Sequence, residues 1–67
     1  MEKYSLVGID GNAFYLLGYT SKAMRDEGFS KEEIDTVMKN AKSSDYNNLL
    51  CVLDEAIKKC NEKASSK

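Results

Sequence analysis

Apolar residues recur along this chain in three blocks at helical spacing, and polar capping residues separate the blocks. In the first block Ala13, Phe14, Leu16, Leu17, Ala23 and Met24 make a broad apolar side, with Thr20 among them. The pattern predicts a helix over 13–27. Asp10 or Asn12 can accept from a free N–H at its start. Gly28 suits the left-handed residue that ends a helix.

The second block opens on Ser30 followed by Glu33, the spacing of a capping box, in which each side chain serves the other residue's backbone N–H. Phe29 and Ile34 stand where a hydrophobic staple would put them. A helix over 31–42 follows, with Ile34, Val37, Met38 and Ala41 in one stripe. Glu32, Glu33 and Asp35 in its first turn and Lys39 and Lys42 in its last suit the helix dipole. Ser43-Ser44-Asp45 then breaks the chain, and Ser44 or Asp45 caps a third helix over 46–61. Tyr46, Leu49, Leu50, Leu53, Ile57 and Cys60 share one of its faces. Residues 62–67 are small and polar, and read as a disordered tail beyond a single domain over 1–61.

Residues 4–9 are short and β-prone, and read as one strand or an extended arm. A lone strand must pair with its copy in a second chain, lie against the helices, or find another strand, and no second strand is predicted. The expected fold is therefore mainly α: a small three-helix bundle with a short N-terminal strand or extended arm.

Composition narrows the function classes. Fourteen of the 67 residues are Leu, Ile, Val or Phe, so the core is small and the stability marginal. Ten basic and eleven acidic residues leave a net charge of −1, which disfavours strong nonspecific binding to nucleic acid. No apolar run approaches the roughly 18 residues of a membrane span. Cys51 and Cys60 on one helix would lie about 13.5 Å apart along its axis and on opposite sides, too far for a disulfide. They read as reduced thiols in a cytoplasmic protein.

Candidate chemistry is sparse. The chain has no histidine, and two cysteines nine apart on one helix cannot converge on a metal. Asp10-Gly11-Asn12 resembles the opening of a calcium loop, but Ser21 stands where the bidentate Glu is required. Neither cysteine has an imidazole base. Gly8 and Gly11 precede a helix without the lysine-serine pair of a phosphate loop. No catalytic residue, metal or cofactor is expected, and the chain reads as a non-enzyme.

Two surface features stand out. Tyr15, Tyr19, Lys22 and Asp26 fall at i, i+4, i+7 and i+11, opposite the main apolar arc of the first helix. The two rings either cover the N-terminal arm or meet a partner, since Tyr is enriched in interfaces. Cys51, Val52 and Ala56 lie outside the stripe of the third helix, so that helix is either central in the bundle or buries its back against a partner. Tyr15, Tyr19, Lys22, Asp26, Cys51 and Val52 are thus the candidate protein-contact surface. Asp10, Asn12, Ser30, Glu33 and Asp45 are structural caps. Gly18, inside the first helix, marks either a close helix crossing or a tolerated defect, with the crossing favoured.

The string Leu6-Val7-Gly8-Ile9-Asp10-Gly11-Asn12-Ala13-Phe14 resembles the opening of small proteins from phages and conjugative elements of Firmicutes. Gly18, Arg25 and the segment Ser43-Ser44-Asp45-Tyr46-Asn47-Asn48-Leu49 continue the likeness over about residues 6–53. Ser44 and Asn48 stand where that pattern has Gly and His. The resemblance implies a setting, an accessory protein of a mobile element inside a bacterial cell, and no mechanism. The reading that follows is a non-enzymatic protein-interaction module in the cytoplasm. Its partner is a protein, with a homodimer as one option. The rival reading is a small nucleic-acid-binding regulator.

Overall fold

The computed structural model of the chain describes residues 3–6, 8 and 11–66. Three helices follow one another: α1 Ala13–Asp26, α2 Lys31–Ala41 and α3 Tyr46–Ser65. They close into the three-helix bundle that the periodicity predicts. Residues 4–6 form no strand. They lie as an arm against α1 and α3. Packing on the chain's own helices is one of the three options for this segment; residues 7 and 9 of the expected strand lie outside the described residues.

Local chemistry sets the helix ends. The Asn12 side chain accepts from the N–H groups of Phe14 (2.9 Å) and Tyr15 (3.4 Å) and so starts α1. Asp10, the other expected cap, lies outside the described residues. At the far end Gly28 adopts φ +84°, and the N–H of Phe29 donates to Met24 O while that of Gly28 donates to Arg25 O. This is the Schellman ending, which only a residue tolerant of positive φ closes without strain. Ser30 Oγ accepts from Glu33 N at 3.1 Å to start α2. The Glu33 carboxylate turns to the Ser30 hydroxyl (3.3 Å) instead of its N–H, so the box is half formed. Asp45 caps α3 by accepting from Asn48 N at 2.9 Å.

α3 is the central element and packs along both other helices, while α1 and α2 touch each other less. Leu16, Leu17, Ala41, Leu49 and Leu53 fill one part of the core. Tyr4, Ala23, Met24, Ile34, Ala56, Ile57 and Cys60 fill the other. Leu6, Val37 and Met38 pack against both. The body is flat, 34 × 28 × 15 Å, so both broad sides of the bundle sit close to solvent.

Four expectations need correction. The predicted tail from residue 62 continues α3 to Ser65, because Ala64 packs on the core one turn beyond Cys60. Lys63 holds that turn from outside, its ammonium 4.5 Å from the Phe29 ring centre. Phe14, expected in the apolar side of the first helix, is 83% exposed. Tyr46, expected in the stripe of the third, is 45% exposed and donates its hydroxyl to Gly11 O. Gly18 makes no close crossing: a Cβ there would meet nothing within 4 Å.

Candidate functional site

The site is built on the outward side of α1. Residues 14, 18 and 22 follow one line along the helix, and 15, 19 and 26 flank it, as the 3.6-residue turn dictates. With Lys3 and Tyr4 of the arm, these positions line an open groove of about 610 Å³. Gly18, without a side chain, is its floor. Phe14 and Tyr15, 83% and 53% exposed, stand at one end, and Lys22 and Asp26 at the other.

The arm is one wall of the groove, and it is held by three anchors. The Asn61 side chain, on α3, grips the backbone of Tyr4 at two points. Its Oδ1 accepts from Tyr4 N at 2.8 Å, and its Nδ2 donates to Tyr4 O at 2.9 Å. One amide side chain thereby supplies the pair of bonds that a neighbouring strand would give. The Tyr19 hydroxyl accepts from Ser5 N at 3.0 Å. The Tyr4 hydroxyl donates to Glu27 Oε2 at 2.5 Å, and Lys3 Nζ reaches the same oxygen at 3.3 Å.

Glu27 is the C-cap of α1 and only 3% exposed. A buried carboxylate needs partners of this kind, since it has lost its water. The hydrogen bond to Glu27 pushes the Tyr4 phenol up to about 12, with burial and the negative charge of Glu27 adding to it. Burial pushes the Cys60 thiol above its ordinary value, and Glu27 adds in the same direction. Cys60, fully buried, is held in its thiol form as part of the core.

The residues singled out from sequence separate into groups. Tyr15, Tyr19, Lys22 and Asp26 do come together on one groove. Within it Tyr19 is half-buried and takes the arm as its partner, whereas Tyr15 stays open. Cys51 and Val52 do not join this surface. Cys51 is exposed beside Leu6, Leu50 and Asp54. Val52 lines a separate groove between α2 and α3, over Ala56. Of the two readings of the third helix, the structure shows the central one: α3 packs on both other helices, and Ala56 is buried.

Sequence reasoning missed Tyr4, Glu27 and Asn61 as a set. Glu27 lies 23 residues from Tyr4, and Asn61 lies 57 from it, so no periodic or capping signal links them. It also missed Phe14 as a surface residue. Among the described residues no three His, Cys, Asp or Glu side chains group in a way that could hold a metal ion. No helix of the described residues is long and apolar enough to cross a membrane. Comparison with protein-family models, with curated proteins and with solved structures gives no match to this chain.

Proposed function

We propose that this chain is a non-enzymatic protein-interaction module whose contact face is the aromatic groove of α1. One observation carries the reading: Phe14 is 83% exposed, next to a half-exposed Tyr15, in a chain with few large apolar side chains for its core. Burying a Phe side chain stabilises by about 1.5–3 kcal/mol, so leaving one in water forgoes a large share of a small domain's stability. Rings at the centre of a contact recover that energy on binding. Gly18 fits the same reading. It lowers helix stability by roughly 1 kcal/mol against Ala, and a Cβ there would meet nothing within 4 Å among the described residues, so it lets a partner's backbone approach the helix closely.

The charges favour a protein over nucleic acid. Lys22 and Arg25 stand beside Asp26 on α1, and acids alternate with lysines along α3. A phosphate backbone calls for clustered cations instead. The likeness of residues 6–14 to small proteins of phages and conjugative elements supports the setting: an accessory protein of a mobile element, acting in the bacterial cytoplasm.

The test places a photo-crosslinking residue at position 15 and, as control, at Asp35, exposed on α2. In bacteria carrying the element, position 15 should give one discrete protein adduct that position 35 does not. The adduct should vanish in a Phe14→Ser background. An adduct between two copies of the chain identifies a homodimer, which Phe14→Ser should dissolve in sedimentation at micromolar concentration. No adduct from position 15, or one indifferent to Phe14→Ser, refutes the proposal.

A further inference from the structure

We infer that the groove between α2 and α3 is a second docking site, and that it takes a basic amphipathic helix of a protein partner. The groove encloses about 580 Å³ and shares no lining residue with the aromatic face of α1. The inference therefore stands independently of the function proposed for that face.

Shape comes first. Glu33 and Val37 follow one another along α2, and Val52, Ala56 and Lys59 do so along α3. The depression runs lengthwise between two helices, and its apolar lining is Met24, Phe29, Val37, Val52 and Ala56. A trough between helices with an apolar base fits a rod. A third helix laid there would complete four-helix packing. The apolar face of an amphipathic helix docking into such a groove is a recurrent recognition mode.

Charge then selects the occupant. Glu32, Glu33 and Glu55 line the groove against a single cation, Lys59. The chain as a whole carries only −1, so the excess of acid is local. Among the described residues neither Glu32 nor Glu55 has an ion pair within the chain, and Glu33 engages only the Ser30 hydroxyl. Lysine or arginine flanking the apolar stripe of an incoming helix would meet these carboxylates at the rim, where charge steers encounter and fixes register. A second copy of this chain fits poorly, because its own helices mix acids and bases in nearly equal number. Nucleic acid fits worse, because the rim repels phosphate.

The probes are two fluorescent amphipathic helical peptides of one apolar pattern, one built from Leu and Lys and the other from Leu and Glu. They are titrated with the full chain by anisotropy, and the contact is mapped by methyl and ring NMR signals. The Leu/Lys peptide should bind at least about tenfold tighter than the Leu/Glu peptide, and salt should weaken it. Val37, Val52 and Ala56 methyls should shift, and Phe14 and Tyr15 rings should not. Glu32→Lys with Glu55→Lys should weaken binding by about tenfold or more, while circular dichroism confirms the fold, since both residues are exposed. Phe14→Ser should leave it unchanged. Equal binding of both peptides, binding of neither, or shifts confined to Phe14 and Tyr15 overturns the inference without touching the crosslinking result.

Discussion

Asn61→Ala tests how the N-terminal arm is held. The substitution deletes both bonds to the Tyr4 backbone, at 2.8 and 2.9 Å, in a half-buried setting. A hydrogen bond within a protein contributes about 0.5–1.5 kcal/mol net, so the pair accounts for about 1–3 kcal/mol. For a domain of this size, each kcal/mol moves the melting temperature by roughly 4–8 °C. Asn61→Ala should therefore melt about 10 °C lower, and urea denaturation should give a loss near 2 kcal/mol. The loss has a ceiling: once the arm detaches, nothing more is lost by weakening it further. Hydrogen exchange at the Tyr4 amide locates the effect, and protection there should fall more than in α2. Asn61→Asp separates the two bonds. It keeps the acceptor for Tyr4 N and faces Tyr4 O with a second oxygen, so it should destabilise by more than half the alanine value. Because Glu27 anchors the same arm through the Tyr4 hydroxyl, Asn61→Ala and Tyr4→Phe should be non-additive in a double-mutant cycle. An Asn61→Ala protein within about 0.3 kcal/mol of the parent, or one destabilised with Tyr4 protection intact, would refute the two-point grip.

Two further outcomes follow from the same contacts. The Tyr4 phenol is pushed up to about 12 from an ordinary value of 10, so the unfolded chain gives up that proton first. Its contribution to stability is complete below about pH 10 and is lost as the pH rises toward 12. A tyrosinate absorbance titration should show one late step that is missing from Tyr4→Phe, and a curve unchanged by that substitution would contradict the Glu27 bond. Gly18→Ala, where the added Cβ meets nothing, should raise stability by about 1 kcal/mol in a thermal melt. No gain there would mean that the helix is packed against something at Gly18.

Much of the architecture is legible along the chain because it rests on neighbours in sequence. Asn12, Ser30 and Asp45 cap helices through bonds to N–H groups two or three residues away. Gly28 ends α1 through bonds that span five residues or fewer. The spacing of Leu49, Leu53 and Cys60 marks a buried stripe whatever that stripe packs against. Periodicity does not distinguish a ring that is covered from one that is not. Phe14 and Tyr46 fit their apolar stripes by position, yet each stands at the first turn of its helix, where the neighbouring helices no longer cover it.

The candidate contact surface shows the same division. Tyr15, Tyr19, Lys22 and Asp26 share one groove because helical spacing on a single element forces it. Cys51 and Val52 share with them only a position off an apolar stripe, and the bundle sends them to two other places. Helix identity and the caps that start each helix are thus properties of the sequence itself, since the bonds that make them close within a turn or two, whereas the extension of α3 to Ser65 depends on Ala64 reaching the core. Tertiary structure alone decided three things. It buried Glu27 against Tyr4, it brought Asn61 across 57 residues to hold the arm, and it aligned α2 and α3 so that three carboxylates ring an apolar trough. Each of these depends on the relative placement of separate elements, and that placement comes from how the whole core packs.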